Sequence, residues 1–269
     1  MALLDQRASV AAAQQCSALR AVITDRLLEL MRLCELSLPT PEENLACDEA
    51  LLDLCEAGSS EEVLRLWAPS QYFVVLGYAN RAETEANLSF CRQHAIPVLR
   101  RCTGGGTVLQ GPGILNYSLI LRINGAGPCH SIPATNQFIL QRHRDVLAGL
   151  LCAPVEWRGQ TDLAIGGLKF AGNAQRRRRR FLLFHGSFLL HLDLGLVEQA
   201  LPLPSRQPDY RVNRSHADFL INLRVPAPTI SAALIKTWDA TAPLTSIPFD
   251  EITRLASEKY SLDEWNFRF

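Results

Sequence analysis

The sequence has no excess of charge of either sign, because 27 basic residues are balanced by 27 acidic ones over 269 positions. Proteins dedicated to nucleic acids or to membrane surfaces carry a broad excess of Lys and Arg. One local exception is a run of five arginines, Arg176 to Arg180. The overall balance nevertheless indicates a chain that binds neither nucleic acid nor a membrane.

The cysteines form no disulfide or metal framework. None of the eight belongs to a Cys-x-x-Cys motif or pairs with His at zinc spacing. Scattered cysteines in a chain of this size are typical of reduced thiols in the cytoplasm, and we predict no certain metal site. No apolar run approaches the roughly 20 residues that span a bilayer. Residues 1–30 mix acidic with basic side chains, unlike a secretory signal.

The chain shows no internal repeat and no low-complexity linker. Its hydrophobic content of 48% is sufficient for the core of one large domain. Residues 1–30 are rich in Ala and Gln, and we expect an N-terminal extension that is disordered or helical, with the helix from about Ser17 to Leu30. The catalytic unit is predicted to begin near Met31 and to cover residues 31–269.

The order of the predicted elements mixes helices with hairpins. The stretch "LPTPEENLACDEALLDLCEAG" predicts a helix, because Thr40 and Glu43 match a capping box, Pro41 occupies the first helical position and Gly58 follows the end. Strands are predicted at "EEVLRLW", "YFVVLGY", "IPVLRRC" and "ILNYSLILRI". This order favours an α+β fold with a central mixed β-sheet flanked by helices over regular βαβ alternation.

A glycine loop interrupts the stretch "VLRRCTGGGTVLQGPG". The glycines at 104–106 allow backbone N–H groups to converge on a ligand, and Arg100 and Arg101 precede them as donors for a carboxylate or phosphate. The loop matches neither the Walker A motif nor the Rossmann fingerprint. The pattern is compatible with an anionic or nucleotide ligand and, equally, with a tight turn flanked by surface arginines.

A predicted hairpin carries the lysine at position 169. In "DLAIGGLKF" a Gly-Gly turn pairs Ile165 with Leu168, and we expect Ala164 opposite Lys169 and Leu163 opposite Phe170. Because side chains alternate between faces, Lys169 shares a face with Asp162. Either the ammonium is aimed at a negative charge on a ligand, or Lys169 is a solvated strand residue paired loosely with Asp162.

The strand "FLLFHGSFLL" is apolar on both faces, which predicts a central, covered position in the sheet. Its His185 is interpreted as a hydrogen-bonded interior histidine and not as a catalytic base, since spacing alone supports no acid–His–Ser arrangement. We expect the five preceding arginines to form a solvated bend between the two strands.

Five stretches together resemble one family. They are "NLACDEALL", "RRCTGGGTVLQGPGILNYSLIL", "TDLAIGGLKFAGNAQ", "FHGSFLL" and "EKYSLDEWNF". In this order they resemble the lipoate–protein ligase branch of the biotin/lipoate protein ligase catalytic domain, over about residues 31–269. The resemblance implies a core similar to that of class II synthetases, in agreement with the mixed sheet.

The resemblance also implies a reaction. Lipoate or octanoate would be activated with ATP and Mg²⁺ to an acyl-adenylate, and the acyl group would pass to a lysine of a lipoyl carrier domain. The carrier would be a 2-oxoacid dehydrogenase acyltransferase subunit or the glycine cleavage H protein. Lys169 would be catalytic, contacting the acyl carbonyl oxygen and the α-phosphate. The residues implied to border the substrate and adenylate are Arg100, Arg101, Gly104, Gly105, Gly106, Thr107, Val108, Asp162, Gly172, Asn173 and Ala174.

The chain departs from the family pattern at two places. Gln110-Gly111 stands where many bacterial ligases of the family carry His-Asp. The chain ends soon after "WNF", so the C-terminal accessory domain of longer ligases is expected to be absent or to be a separate accessory protein. Neither the preference between lipoate and octanoate nor the acceptor follows from the sequence.

Other functions stay open. A cysteine-dependent transferase of the same fold would move octanoyl or lipoyl groups between carriers without ATP. Cys152, ten residues before Asp162, is the alternative nucleophile, and Cys102 beside Arg100 and Arg101 is a candidate for a lowered pKa. Both cysteines are otherwise interpreted as inert, small hydrophobic residues. A biotin ligase and a non-enzymatic binding module, suggested only by the arginine run, are the remaining alternatives.

Overall fold

The computed structural model describes residues 31–58, 61–125 and 127–269. The predicted extension 1–30, with its helix from Ser17 to Leu30, lies outside these ranges. The described strands are β1 (Arg32–Glu35), β2 (Val63–Trp67), β3 (Phe73–Leu76), β4 (Val98–Arg100), β5 (Val108–Gln110), β6 (Ile114–Arg122), β7 (Glu156–Arg158), β8 (Asp162–Ile165), β9 (Leu168–Arg177), β10 (Phe181–Leu189) and β11 (Ala242–Pro243).

The helices connect and cover these strands. They are α1 (Pro41–Ala57), α2 (Ala82–Glu85), α3 (Leu88–Gln93), α4 (Ile132–Leu151), α5 (Leu194–Ala200), α6 (His216–Phe219), α7 (Ala227–Trp238), α8 (Phe249–Leu255) and α9 (Asp263–Asn266). A 3-10 turn covers Asp209–Arg211, and a π-helical turn covers Ala256–Tyr260. In the described part of the chain, no helix combines the length and apolar character needed to cross a membrane.

A mixed sheet of eight strands forms the centre, in the order β11-β1-β2-β6-β10-β9-β8-β7. Strand β1 runs parallel to both of its neighbours, whereas the other adjacent pairs are antiparallel. A smaller sheet has the order β4-β3-β5. The central mixed sheet confirms the predicted α+β class, and β10 has the predicted central position between β6 and β9.

Helices cover both faces of the large sheet. Helices α4 and α7 pack on the face that carries Leu163 and Phe170, here called the α4 face. Helices α1 and α8 pack on the opposite face, which carries Ile120 and Leu183 and is here called the α1 face. The small sheet packs beside α1 and carries a third apolar cluster with α2, α3 and α5.

Helix α1 forms through the predicted capping box. The Glu43 amide donates to the Thr40 hydroxyl at 3.2 Å, and the Glu43 carboxylate accepts from the Thr40 amide at 3.0 Å. Such a cap contributes about 1 kcal/mol. Helix α1 matters for the site because it directs two buried carboxylates, Asp48 and Glu49, toward the α1 face.

The lysine hairpin turns at Gly166 and Gly167, whose φ angles are 57° and 74°. Positive φ at both central residues is the requirement of a two-residue type I′ turn, which glycine meets without strain. The structure confirms two predicted cross-strand pairs, Ala164 with Lys169 and Ile165 with Leu168.

A β-bulge follows in β9, where Phe170 is the extra residue, and it changes the rest of the predicted register. Leu163 pairs with Ala171, not with Phe170, because the register shifts between Leu163 and the next residue. Asp162 consequently pairs with Gly172. The sequence contains no signal for this bulge.

The predicted solvated bend covers only the last three residues of the arginine run. The first two residues of the run continue β9, and residues 178–180 alone form the turn. Arg176 Nη1 lies 3.1 Å from the Glu49 carboxylate, and Arg178 Nη2 lies 2.8 Å from the Asp53 carboxylate. The run therefore joins β9 and the turn to the acidic side chains of α1.

Candidate functional site

Lys169, the glycine loop and the small residues of β9 meet on the α1 face. A Cβ added at Gly172 would lie 2.8 Å from Lys169 Nζ, so the ammonium lies across the backbone of β9. A Cβ added at Gly105 would lie 3.5 Å from the Cβ of Ala174, so the glycine loop passes directly over β9. Four separately predicted residues thus lie around one strip of backbone.

The Lys169 ammonium has a fixed carboxylate partner. Asp162 Oδ1 lies 2.8 Å from Lys169 Nζ, and three quarters or more of each side chain is buried. The other oxygen, Oδ2, accepts a hydrogen bond from the Tyr210 hydroxyl at 2.9 Å. Of the two alternatives left open for Lys169, the loose, solvated pair is therefore wrong, because the ion pair is mostly buried and is oriented by a third group.

Tyr210 is the site residue that the sequence did not reveal. Burial and the Asp162 carboxylate raise the pKa of its phenol, which therefore stays a hydrogen-bond donor at neutral pH. Its ring packs under the Arg158 guanidinium at 5.2 Å, and Pro208 in the same turn packs against Gly159. Tyr210 is 48 positions from Asp162 and belongs to an irregular segment, so no periodicity marks it.

The glycine loop is held closed by its own arginine. Arg101 Nη2 donates to the carbonyl oxygens of Gly104 at 2.7 Å and Gly106 at 2.8 Å. Burial lowers the pKa of Arg101 to about 10, which leaves it cationic at neutral pH. The predicted positive charge therefore lies beside the loop and also organises it. Cβ atoms added at Gly104 or Gly106 would meet nothing within 4 Å, which leaves room above them.

A close backbone contact supports the loop from the small sheet. A Cβ added at Gly77 would collide with the Gly105 carbonyl oxygen, so the two backbones touch. The Asn80 Oδ1 atom accepts from the Gly77 amide at 2.8 Å and from the Thr107 hydroxyl at 3.1 Å. Val108, the last residue predicted in this stretch, begins β5 and packs in the core beside α1.

Arg100 occupies a different environment from its neighbour. Its side chain is fully buried and donates to backbone carbonyl oxygens of Gly77, Tyr78, Asn80, Trp265 and Asn266. These hydrogen bonds connect β4, the loop after β3 and helix α9. Arg100 therefore has this structural role in place of the one predicted beside the adenylate.

Asn173 also departs from its predicted position. Because side chains alternate along β9, the Asn173 side chain lies on the α4 face, where it accepts from the Tyr117 hydroxyl at 2.6 Å and donates to the Thr161 carbonyl at 2.6 Å. It holds the turn before β8 and does not share the α1 face with Gly172 and Ala174.

Three polar side chains beside the site, those of Gln110, Asn116 and Ser187, form hydrogen bonds to one another. Gln110 belongs to the Gln-Gly pair at which the sequence departs from the family pattern. Gln110 donates to Ser187 at 2.8 Å, Asn116 donates to Gln110 at 2.9 Å, and the Ser187 hydroxyl donates to Asn116 at 2.5 Å. Ser187 pairs with Gly172 across β10 and β9. The Gln110 side chain is therefore held by hydrogen bonds to Ser187 and Asn116.

His185 is the hydrogen-bonded interior histidine that was predicted. Its Nδ1 atom lies 2.9 Å from Asp48 Oδ2, and its Nε2 atom lies 2.7 Å from the Thr103 hydroxyl. The other Asp48 oxygen accepts from Arg65 at 2.7 Å. Burial alone would raise the pKa of Asp48, but Arg65 and His185 outweigh burial and lower it, so Asp48 is a carboxylate.

The cysteines divide into buried and exposed thiols. Of the seven in the described residues, six are buried and Cys152 is exposed. Burial, with the Glu49 carboxylate, raises the pKa of Cys102 to about 11, which contradicts the alternative of a lowered pKa and agrees with an inert, buried thiol. Cys152 caps α4 with a φ of 48°. Helix α4 packs on the α4 face, whereas the Lys169 ammonium lies on the α1 face.

The described residues contain no group of three His, Cys, Asp or Glu side chains suited to hold a metal ion. A shallow open groove of about 420 Å³ is lined by parts of 83–88 and 198–202 and includes none of the predicted site residues. The convergence of Lys169 and the glycine loop is thus the stronger functional signal.

The sequence is similar to those of several known proteins. A family model described as the lipoyl protein ligase A/B catalytic domain matches residues 40–237. Octanoyltransferase LipM of Geobacillus kaustophilus is 26% identical over 282 residues, covering 89% of this chain and 99% of the relative. Lipoate-protein ligase A subunit 1 of Thermoplasma acidophilum is 27% identical over 242 residues, covering 83% and 90%.

Solved structures show the same fold. A bi-partite lipoate protein ligase of Thermoplasma acidophilum, described with its E2 lipoyl domain, has a TM-score of 0.75 at 25% identity, covering 88% of this chain and 95% of that one. A lipoate-protein ligase A bound with ATP has a TM-score of 0.73 at 25% identity, covering 88% and 98%.

Proposed function

The chain belongs to the lipoyl protein ligase A/B catalytic domain family, and we propose that it activates lipoate or octanoate with ATP and passes the acyl group to a lysine of a lipoyl carrier domain. Its relatives are lipoate-protein ligases and octanoyltransferases, so it is an enzyme of the lipoate-protein ligase family. The observation that carries the proposal is the Lys169 ammonium, which lies across Gly172 beside the overlying glycine loop.

The first step joins two anions. A carboxylate oxygen of the fatty acid forms a bond to the α-phosphorus of ATP, and the bond from that phosphorus to the bridging oxygen breaks to release pyrophosphate. One ammonium between the two groups offsets their repulsion and stabilises the charge that develops on the α-phosphate. Preorganised donors of this kind typically contribute about 3–4 kcal/mol to lowering a barrier.

The described residues fit a nucleotide at this position. The backbone above Gly104 and Gly106 is open, Arg101 is cationic, and small residues line β9 below. Mg²⁺ binds ATP largely through phosphate oxygens and needs only one or two protein carboxylates, and Asp162 is the carboxylate at this site. The ion would neutralise phosphate charge during the first step.

The second step requires a partner protein. The amine of a carrier lysine forms an amide bond to the acyl carbon, AMP leaves, and the amine loses a proton. Lys169 would then stabilise the oxyanion of the acyl group. Relatives that are named with an E2 lipoyl domain and as one subunit of a ligase support a lipoyl carrier as acceptor and an accessory chain as a further component.

Carrier-to-carrier transfer without ATP is the second candidate function. The octanoyltransferase relatives favour it directly. It requires a reactive thiol near Lys169, and the cysteines offer weak support. Cys102 is buried with a raised pKa, and Cys152 is exposed at the end of a helix that packs on the opposite face of the sheet.

One experiment separates the two functions. A lipoyl domain is incubated either with octanoate and ATP or with an octanoylated carrier protein without ATP, and the acylated domain is measured by mass spectrometry. We expect ATP-dependent acylation in the wild type and in Cys102→Ser and Cys152→Ser. Transfer that needs no ATP and disappears in Cys152→Ser would establish the transferase function in its place.

A further inference from the structure

A chain of charged and polar side chains runs beneath the glycine loop. Arg65 Nη1 donates to Asp48 Oδ1 at 2.7 Å, Asp48 Oδ2 lies 2.9 Å from His185 Nδ1, and His185 Nε2 lies 2.7 Å from the Thr103 hydroxyl. Arg65 and Asp48 are almost completely buried, and His185 is mostly buried. None of these four residues was predicted as a site residue.

The hydrogen bonds of this series have a defined direction. Asp48 is held as a carboxylate by Arg65, so His185 Nδ1 must carry the proton that it shares with Asp48. In the tautomer with its proton on Nδ1, His185 Nε2 is a lone-pair acceptor for the Thr103 hydroxyl, which lies 2.7 Å away. The orientation of Thr103 is therefore determined by a buried ion pair on α1 and β2.

Thr103 is the residue that enters the glycine loop. Its carbonyl oxygen accepts from the Tyr78 amide at 2.8 Å, so both the backbone and the side chain of Thr103 are held. His185 pairs in register with Ala174, the residue over which Gly105 passes. The hydrogen-bond chain thus connects the start of the loop to the floor of the site at one level of the sheet.

We propose that Asp48 and His185 are positioning residues, which hold the Thr103 hydroxyl in place. Through Thr103 they set the distance of the glycine loop from β9, and this distance determines the affinity of the site for its carboxylate and nucleotide ligands. The order hydroxyl, imidazole and carboxylate resembles that of a nucleophile with its base. Thr103 is only 1% exposed, however, so it acts through the loop and does not contact substrate. The identity of the ligands rests on the proposed function, whereas the control of the loop does not.

Replacing Thr103 by two near-isosteres tests the hydroxyl directly. Thr103→Val keeps the shape and loses the donor, whereas Thr103→Ser keeps the donor and loses the methyl group. We expect the KM for octanoate and ATP in adenylate formation to rise about tenfold in Thr103→Val, the effect of one lost hydrogen bond, with kcat little changed. Thr103→Ser should behave like the wild type.

A double-mutant cycle tests the link to His185. In a His185→Phe background, Thr103→Val should have no further effect on KM, because its acceptor is already missing. Thr135→Val is the matched control, since Thr135 is also fully buried and its hydroxyl donates to the carbonyl of Ser131, the residue before α4, and accepts from Arg177. Unfolding midpoints in urea of all variants show whether a change in KM follows a loss of stability.

A second readout does not depend on the reaction. Amide hydrogen exchange of residues 103–107 should be faster in Thr103→Val than in the wild type and unchanged in Thr103→Ser. If the wild type fails to form an adenylate, the proposed function fails, and this exchange comparison still tests the loop. Equal exchange in all three proteins, or equal impairment of the Ser and Val variants, would overturn the proposal.

Discussion

Gly172 is the position at which a single methyl group would test the placement of the Lys169 ammonium. A Cβ there would lie 2.8 Å from Lys169 Nζ and 2.9 Å from Cε. Both atoms belong to the flexible end of a side chain, so Gly172→Ala should change the free energy of unfolding by less than about 1 kcal/mol.

Activity should respond differently to the same change. Displacement of the ammonium by about 1 Å typically lowers a rate by a factor of about 100. Acylation of a lipoyl domain and urea unfolding are measured on Gly172→Ala and on Gly149→Ala, where an added Cβ meets nothing within 4 Å. Full activity in Gly172→Ala would show that the ammonium works from another position.

The thiols make a second prediction at the scale of residues. At pH 8 iodoacetamide should alkylate Cys152, which is exposed, and leave Cys102 unmodified, because burial raises its pKa to about 11. Peptide mass spectrometry after a short reaction reports both positions. Rapid alkylation of Cys102 in the folded protein would show an accessible thiolate beside the glycine loop and would favour thioester chemistry.

At the scale of elements, the arginine run stabilises the contact between β9 and α1. Arg176 lies 3.1 Å from Glu49, whose buried carboxylate also accepts from Lys259 and Tyr260. Arg176→Gln should lower the free energy of unfolding by about 1.5–3 kcal/mol, the range for a hydrogen bond to a charged group. The control is Arg179→Gln, because Arg179 is exposed in the turn. A larger loss of stability in Arg179→Gln than in Arg176→Gln, measured by urea unfolding, would mean that the turn, and not β9, makes the stabilising contact with α1.

Several elements of the fold could be predicted from the sequence. The capping box of α1, the Gly-Gly turn, the central strand β10 and the mixed sheet follow from local patterns and are confirmed. The bulge in β9 was missed, because no local pattern marks Phe170 as an extra residue between two paired ones.

For the site, alternation correctly placed Lys169 with Asp162, since faces are a local property of a strand. It also assigns Asn173 to the opposite face from Gly172, a consequence that the family pattern alone obscured. Tyr210 and Thr103 depend on contacts between segments separated by 48 and 82 positions, for which a single sequence contains no spacing signal.

For the whole molecule, buried carboxylates on α1 determine the response to acid. The pKa values of Asp48 and Glu49 are lowered despite burial, by Arg65 and His185 for the first and by Lys259 and Tyr260 for the second. The unfolded chain therefore binds protons more readily than the folded one. The stability that these two carboxylates contribute should be fully present above their ordinary pKa values, 3.8 for Asp48 and 4.5 for Glu49. It should fall as the pH drops through and below those values.

Urea unfolding at pH 7 and at pH 4 measures this response. Asp48→Asn should lose about 3–5 kcal/mol at pH 7, because Arg65 is left as a buried charge without its partner. It should also show a weaker dependence on pH than the wild type. Asp145→Asn, at an exposed pair with Arg144, should match the wild type at both pH values. A wild type that is equally stable at pH 7 and pH 4 would contradict the assigned pKa shifts.

The central claim is that one ammonium, Lys169, activates a carboxylate against ATP. The direct measurement is octanoate-dependent exchange of pyrophosphate into ATP by the wild type, Lys169→Ala and Lys236→Ala, the last at an exposed lysine in the final turn of α7. We predict exchange in the wild type and in Lys236→Ala, and a loss of about 100- to 1000-fold in Lys169→Ala. Undiminished exchange in Lys169→Ala, with loss on changing Arg178 and Arg179 to Gln, would contradict the account.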